Sequence, residues 1–205
     1  MRNDFAGTTP QFAVSRPRSG GREHSDEALI AKIASGNRLA MQVLYTRHQT
    51  RIYRFLLRLV RDTALAEDLT SEVFLTAWRQ AHLFEARSAA TTWLLAIARY
   101  KALAELRRRA EPRSEAAAAE ASDPADGPEA LFETKRRGEI LRKCLTRLSR
   151  EHREIIDLVY YHEKSVQEVA NIVGIPGNTV KTRMFYARRR LSELLQAEGV
   201  AGALA

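Results

Sequence analysis

Residues 165–191, SVQEVANIVGIPGNTVKTRMFYARRRL, are the stretch that decides the fold of this 205-residue chain. Apolar residues recur at helical spacing over 166–173. Gly174 follows them, and glycine commonly ends a helix because it adopts the left-handed conformation without strain. Pro176 and the glycine after it interrupt the helical pattern before a second one begins. The stretch therefore predicts two short helices joined by a sharp turn.

The second of these helices is amphipathic and basic. Its apolar face carries Val180, Met184, Ala187 and Leu191. Its other face carries Asn178, Lys181, Thr182, Phe185, Arg188 and Arg189. A helix-turn-helix with a basic outer face is typical of a DNA-reading unit. A basic helical hairpin with a solvated charged face would show the same pattern.

Charge is distributed unevenly along the chain, whose net charge is +8. Residues 25–110 carry 14 basic and 8 acidic side chains, and residues 134–205 carry the same numbers, so each block is +6. Residues 111–133 carry 1 basic and 7 acidic side chains, which is −6. Two basic blocks around an acidic connector indicate a protein that contacts a polyanion at two places.

Several classes of protein are disfavoured by what the sequence lacks. Cys144 is its single cysteine, so no internal disulfide forms, and its helical context favours burial as a small apolar residue. The N-terminus has no apolar core of a signal peptide, and no run approaches the ~18 apolar residues of a membrane span, so we expect a cytoplasmic protein without membrane insertion. The sequence has no CxxC or HExxH motif, metal-ligand spacing of histidines or Gly-rich phosphate loop. We therefore predict no catalytic residue, metal or cofactor.

The predicted fold class is all-α, with two small helical domains joined by a flexible linker. No alternating strand pattern of useful length occurs, and Ser25, Asn37 and Asp62 are suitable caps for the first three helices. The second domain is predicted to contain helices near 129–148, 150–161, 165–173 and 178–196. The predicted organisation is a disordered tail at 1–24, a first domain at 25–110, an acidic linker at 111–128, a second domain at 129–198 and a tail at 199–205.

Both blocks resemble one bacterial family. Within residues 41–109, the segments LYTRHQTRIYRFLLRLVRD, AEDLTSEVFLTAWRQ and TTWLLAIARYKALAELRRR resemble region 2 of RNA polymerase sigma factors of the extracytoplasmic-function (ECF) type, a branch of the sigma-70 family. The segment LTRLSREHREIIDLVYYHEKSVQEVANIVGIPGNTVKTRMFYARRRL is similar to region 4 of that family. A helix-turn-helix alone is weakly specific, whereas this ordered pair is strongly specific.

The resemblance implies that region 4 places its second helix in the major groove of the −35 promoter element. Lys181 can donate to guanine O6 and N7, and Phe185 can pack on a thymine methyl. The base-facing candidates are Asn178, Lys181, Thr182, Phe185 and Tyr186. The candidates for phosphate contacts, which add affinity but little sequence choice, are Arg183, Arg188, Arg189 and Arg190.

The resemblance further implies that region 2 melts the −10 element and holds a flipped base at the loop before its last helix. The candidates are Leu83, Phe84, Arg87, Ser88, Ala89 and Tyr100, with Arg99 and Lys101 along the path of the strand. The family often has an aromatic residue where Ala90 stands and an asparagine where Tyr100 stands, which alters the expected base preference. Trp78 and Trp93 lie on apolar stripes and are predicted to be core residues.

Three protein or DNA partners follow from the same resemblance: core RNA polymerase, promoter DNA and an anti-sigma factor. Region 2 would grip the coiled coil of the largest polymerase subunit, and region 4 would meet the flap on the −35 side. The coiled-coil candidates are Glu67, Asp68, Ser71 and Glu72, with Ser71 standing where glutamine is usual. Acidic groups suit a basic partner, although Glu67 and Asp68 would also favour the start of their own helix.

We therefore interpret the sequence as an alternative sigma factor, acting in a stress or envelope response under anti-sigma control. One alternative is a stand-alone helix-turn-helix regulator that binds pseudo-palindromic operators without polymerase. Another is a sigma-like interaction protein. A nucleic-acid-processing enzyme is disfavoured because the sequence offers no catalytic constellation.

Overall fold

The computed structural model describes residues 25–110 and 132–199. The predicted tail at 1–24, the linker at 111–128 and residues 200–205 of the second tail lie outside these ranges. The helices are α1 (Asp26–Ala34), α2 (Arg38–Val60), α3 (Thr63–Gln80), α4 (Ala90–Ala110), α5 (Phe132–Thr146), α6 (Arg150–Ile156), α7 (Val166–Val173) and α8 (Gly177–Ala197). The two ranges contain no strand, and the all-α prediction is confirmed.

The first three helices begin where their caps predict. The side chains of Ser25, Asn37 and Asp62 each accept a hydrogen bond from the backbone N–H three residues further on. Each cap satisfies an amide that the helix itself leaves without a partner. At Asp62 this hydrogen bond, followed by one from Arg109, holds the pKa of the carboxyl below its ordinary value.

Helices α1 to α4 form the N-terminal half of the structure, in which α2, α3 and α4 pack against one another. Phe55, Val73 and Leu94 are fully buried between these three helices. Helix α1 covers a second apolar cluster, which it shares with the start of α2 and with Ala90 at the start of α4. Trp78 and Trp93 are half-buried against this second cluster, as expected of residues on apolar stripes.

Helices α5 to α8 form the C-terminal half, in which α8 packs against α5, α6 and α7. Cys144 is fully buried with Leu148, Ala187 and Leu191. Burial raises the pKa of the Cys144 thiol, so the thiol behaves as a small apolar group, which confirms the prediction.

The predicted helix at 150–161 differs from the observed one in its second half. Helix α6 ends at Ile156 and continues as a π-helical segment, Asp157–Tyr161. The N–H of His162 donates to the carbonyl of Asp157, five residues back, at 3.2 Å. This wider turn displaces the following side chains from the register of an α-helix and leaves Tyr160 and Tyr161 exposed.

The two halves pack against each other, with α4 against α7. Ala98 of α4, Leu158 of the π-helical segment and Val169 of α7 belong to one buried apolar cluster. The apolar core is therefore continuous across the described halves. None of the described helices combines the length and the hydropathy that a membrane span requires.

Candidate promoter and polymerase interface

The turn between α7 and α8 orients α8 so that its outer face is exposed to solvent. Ser165 and Glu168 form a reciprocal capping box at the start of α7, and Gly174 ends the helix in the left-handed conformation at φ 71°. Pro176 is the residue before α8. Val180 and Ala187 of α8 are fully buried, which turns the opposite side of that helix outward. The hairpin predicted from the sequence is thus present, and its first helix ends at Gly174 as predicted.

The predicted −35 residues lie together on the outward side of α8. Eight of them are exposed, and Arg183 is half-buried. The exposed ones are Asn178, Lys181, Thr182, Phe185, Tyr186, Arg188, Arg189 and Arg190. The hydroxyl of Thr182 donates to the carbonyl of Asn178 at 3.0 Å, so its methyl group is the part left to contact a base.

Exposed aromatic side chains lie within and beside this row of residues. Phe185 is 62% exposed and packs edge-to-face on Tyr186, with ring centroids 5.4 Å apart. The guanidinium of Arg188 lies 5.5 Å from the ring centroid of Tyr160, on the π-helical segment. Tyr160 was not among the residues predicted from sequence. The adjacent tyrosines of DLVYY were the only available signal.

An open groove of about 750 Å³ runs between the start of α7 and the middle of α8. It is lined by Lys164, Val166, Lys181, Phe185 and Arg188, among others. Val166, at the first position of α7, is 37% exposed and faces this groove. The groove therefore combines apolar walls with basic rims.

Farther along α8 the arginines are already partnered. Arg189 and Arg190 pair with Glu193 at 3.3 and 3.1 Å. Hydrogen bonds from Arg190 and then Arg189 lower the pKa of Glu193. All three groups are exposed, so a phosphate can replace the carboxylate at little cost.

The predicted −10 loop lies between a 3₁₀ turn, Ala81–Leu83, and the start of α4. Leu83 is 62% exposed, whereas Phe84 is half-buried against Trp93 with ring centroids 5.1 Å apart. Arg87 pairs with Glu85 at 2.6 Å. Of the other two loop candidates, Ser88 is half-buried and Ala89 is exposed. The loop thus presents its first and last residues outward and anchors its aromatic ring inward.

The three predicted strand contacts on α4 differ in availability. Tyr100 is 75% exposed, the most exposed of the large apolar and aromatic side chains described. Arg99 instead pairs with Glu154 of α6 at 2.6 Å, and Lys101 pairs with Glu72 of α3 at 3.0 Å. In this arrangement the two predicted cations are held by carboxylates, and Tyr100 alone of the three faces solvent.

The predicted polymerase-binding residues form a row along α3. Glu67, Asp68, Ser71 and Glu72 are all exposed. Leu75 continues the same row and is 49% exposed, and it was not predicted from the sequence. Its position three residues after Glu72, opposite the buried stripe, could have identified it. An acidic row that ends in an exposed leucine suits a basic and partly apolar helical partner.

Comparison with known proteins supports one family. The family model "Sigma-70 region 2" matches residues 44–111, and the family model "Sigma-70, region 4" matches residues 144–193. The chain is 33% identical over 180 residues to the ECF RNA polymerase sigma factor SigL of Mycobacterium tuberculosis, covering 84% of this chain and 98% of that protein. It is 31% identical over 183 residues to the ECF RNA polymerase sigma factor SigK of Mycobacterium ulcerans, covering 86% and 97%.

Two solved structures resemble this fold. One is a complex of the sigma factor RpoE with the anti-sigma factor NepR from Bartonella quintana, with 28% identity, a TM-score of 0.60 and coverage of 74% of this chain and 94% of that one. The other is CnrH in complex with the cytosolic domain of CnrY, with 25% identity, a TM-score of 0.62 and coverage of 84% and 97%.

Proposed function

Because this chain belongs to the ECF branch of the sigma-70 family of RNA polymerase sigma factors, we propose that its two halves read the two elements of a promoter. The protein is an alternative sigma factor and not an enzyme. It binds core polymerase and promoter DNA and promotes initiation, while the polymerase carries out the chemistry. The C-terminal half reads the −35 element, and the N-terminal half opens and holds the −10 element.

The observation that carries the −35 assignment is the exposed row on α8. Asn178, Lys181 and Phe185 occupy the N-terminal half of a helix whose other side is buried. In helix-turn-helix proteins, the N-terminal residues of the second helix contact base edges. Arg183, Arg188 and Arg189 hold phosphates and so contribute salt-dependent affinity.

The −10 assignment rests on the loop after the 3₁₀ turn and on the outward face of α4. Leu83 and Tyr100 supply exposed apolar and aromatic surface on which an unstacked base can pack. Phe84, Arg87, Ser88 and Ala89 shape the loop, and Arg99 and Lys101 contact the strand when it replaces their carboxylate partners. Binding energy from these contacts offsets a cost of a few kcal/mol for each unstacked base.

Each of the two proposed roles is assigned to one domain. Residues 25–110 act as region 2, residues 129–198 act as region 4, and residues 111–128 connect them. Glu67, Asp68, Ser71 and Glu72 grip the coiled coil of the largest polymerase subunit, while region 4 meets the flap on the −35 side. An acidic connector between two basic units suits a path beside the positively charged parts of the polymerase.

Regulation by an anti-sigma factor is part of the proposal. The RpoE structure is a complex with the anti-sigma factor NepR and the CnrH structure is a complex with CnrY, and this chain covers 94% of the RpoE chain and 97% of the CnrH chain. The proposed setting is the cytoplasm, where core polymerase and promoter DNA are found. The inducing signal belongs to a stress or envelope response.

Run-off transcription with purified core polymerase tests the proposal. The expected result is specific initiation on a subset of promoter templates, and none with core polymerase alone. If the chain neither binds core nor directs specific initiation, the proposal fails. Tight binding of the free chain to a palindromic operator without polymerase would instead support a stand-alone regulator.

A further inference from the structure

The guanidinium of Arg188 differs from its neighbours on α8 in what holds it. Arg189 and Arg190 both pair with the carboxylate of Glu193. Arg188 has no carboxylate partner within the described ranges, and its guanidinium instead lies 5.5 Å from the ring centroid of Tyr160. An aromatic face attracts a cation through the negative potential of its π-system and leaves the charge uncompensated. Arg188 is therefore oriented without being neutralised.

The next residue of the π-helical segment makes the same kind of contact with a different outcome. The guanidinium of Arg58 lies 4.6 Å from the ring centroid of Tyr161. Arg58 also pairs with the carboxylate of Asp157, so its charge is compensated within the protein. Tyr160 and Tyr161 are each 48% exposed. The two tyrosines thus form a matched pair, of which only Tyr160 holds a cation that is left for an external anion.

The backbone that carries Tyr160 is anchored to the core. The N–H of His162 donates to the carbonyl of Asp157 at 3.2 Å, and the N–H of Lys164 donates to the carbonyl of Leu158 at 3.0 Å. The side chain of Leu158 is fully buried. π-Helical turns are rare and occur frequently at functional sites. The ring beside Arg188 is therefore presented by a turn whose position is fixed by the fold.

Arg188 lies on the same face of α8 as two of the predicted base contacts. Lys181, Phe185 and Arg188 are four and three residues apart, which places them on one side of the helix. All three line the groove between α7 and α8. Arg188 is two turns beyond Lys181, or roughly 10 Å along the helix axis. With Lys181 on a base edge in the major groove, Arg188 reaches the sugar-phosphate backbone at the edge of that groove.

We propose that Tyr160 is a positioning residue for the −35 contact, and that its ring holds the guanidinium of Arg188 where it meets one phosphate of the promoter. The inference rests on the proposed function, because a chain that reads the −35 element brings a phosphate to this point. The ring restricts the rotamers of Arg188 before DNA binds, so less side-chain entropy is lost on binding. Tyr160 thereby adds affinity for DNA without adding a base preference.

A double-mutant cycle on the full chain tests the proposal. Its members are the unsubstituted chain, Tyr160→Leu, Arg188→Ala and the double variant, each titrated onto a short random-sequence duplex at several salt concentrations. Arg188→Ala should weaken binding and reduce the slope of log affinity against log salt by about 1. Tyr160→Leu should weaken binding about two- to fivefold. It should cause no further loss when residue 188 is already alanine, because the ring acts through that guanidinium.

Two control variants separate the ring from its hydroxyl and from the general effect of a substitution. Tyr160→Phe keeps the aromatic face, so it should bind DNA as the unsubstituted chain does. Tyr161→Leu makes the same change on the equally exposed neighbour, whose cation is Arg58, and should leave the affinity and the salt slope unchanged. Urea unfolding should show both leucine variants folded, because both tyrosines are exposed. If Tyr160→Leu does not fold, Tyr160→Gln replaces it in the cycle.

The proposal is overturned if Tyr160→Leu binds DNA as the unsubstituted chain does, or if its loss is as large in the Arg188→Ala background. An equal loss in Tyr160→Phe would assign the effect to the hydroxyl and would also overturn it. Holoenzyme binding to a library of −35 variants gives a second readout, in which Tyr160→Leu should lower the affinity for every sequence alike. A changed base preference would contradict a phosphate role.

Failure of this inference is distinguishable from failure of the proposed function. A holoenzyme that directs no specific initiation refutes the proposed function, whereas the cycle on random-sequence DNA still decides whether Tyr160 acts through Arg188. A holoenzyme that initiates normally while the cycle shows no coupling between the two residues refutes the role of Tyr160 alone.

Discussion

Lys101 Nζ lies 3.0 Å from Glu72 Oε2, so that a cation predicted to attract the −10 strand is paired with a carboxylate predicted to bind polymerase. Glu72 is 57% exposed and Lys101 is 22% exposed at the side chain. An exposed pair of this kind contributes only about 0–1 kcal/mol to folding. Its interest lies in the fact that a basic helix docking on Glu72 would compete with Lys101 and release it toward the DNA.

Glu72→Gln should weaken core binding while leaving the fold intact. We expect about a three- to tenfold loss of affinity for core polymerase, because one charge-complementary contact is lost. The unfolding free energy should change by less than about 1 kcal/mol. Competition binding against a labelled sigma factor and urea unfolding measure the two effects. Glu139→Gln, on exposed α5, is the control, and an equal loss of core affinity in it would contradict the assignment.

Lys181→Ala and Arg189→Ala should separate base reading from phosphate contact. Loss of Lys181 should cost about 1–3 kcal/mol on the preferred −35 element and relax selection at one base pair. Loss of Arg189 should weaken binding to all sequences alike and reduce the slope of log affinity against log salt by about 1. Holoenzyme binding to a library of −35 variants at several salt concentrations measures both. Identical profiles for the two variants would argue against this division.

Tyr100→Ala should impair opening of the promoter duplex more than it impairs formation of the closed complex. Tyr100 is 75% exposed, so its removal costs little stability, while the loss of one stacking platform costs about 1–3 kcal/mol. Fluorescence of 2-aminopurine placed in the −10 element reports opening, and a mobility shift reports closed-complex formation. Leu39→Ala, also highly exposed but on α2, should change neither. Equal loss of both signals for Tyr100→Ala would remove it from the opening step.

Two glycine substitutions should have opposite effects on stability. Gly174 ends α7 at φ 71°, and a Cβ added there meets no atom within 4 Å, so the cost of alanine is backbone strain of about 1 kcal/mol. Gly138 lies within α5 and also has open space around it. There alanine should stabilise by about 0.5–1 kcal/mol. Urea unfolding compares the two, and stabilisation by Gly174→Ala would contradict the left-handed cap.

Acid should weaken the contact between the halves through Glu168. Burial alone would raise the pKa of this carboxyl, but hydrogen bonds from Lys164, Thr92 and Ser165 outweigh it and lower the pKa from 4.5 to about 2. A lowered folded-state pKa gives stability that is complete above pH 4.5 and is lost as the pH falls toward 2. Since Glu168 is partly exposed, we expect the loss to be about 1–2 kcal/mol.

The Glu168→Gln variant tests this account. Urea unfolding at pH 7 and pH 3 gives the change in unfolding free energy for each protein. The variant should lose less stability on acidification than the unsubstituted chain, because its side chain does not titrate. A pH dependence unchanged by the substitution would assign the effect to other carboxyl groups.

The helices could be predicted from sequence because their signals are local. Apolar periodicity, the N-caps at Ser25, Asn37 and Asp62 and the helix end at Gly174 depend on residues a few positions apart, and all four are observed. The outward row on α8 follows from the same periodicity, once Val180 and Ala187 are assigned to the core.

The contact between the halves could not be predicted in this way. Lys164, Glu154 and Arg99 are ordinary charged residues at helical spacing. The pattern of a single sequence does not distinguish a solvated charge from one whose partner lies 55 or more residues away in the chain. The π-helical segment could not be predicted, because a hydrogen bond to the carbonyl five residues back is not marked by any particular residue type in the sequence. Without it, neither the exposure of Tyr160 nor its stacking with Arg188 could be foreseen.

Ala90 has a consequence for exchanging promoter preference between relatives. It is 1% exposed and shares its apolar cluster with Leu29, Ile30 and Ile33 of α1. An aromatic ring, which the family often has at this position, would need space that α1 occupies here. The −10 loop therefore cannot be exchanged between relatives by itself. A chimera must transfer the first helix together with the loop, because in this chain the two pack against each other.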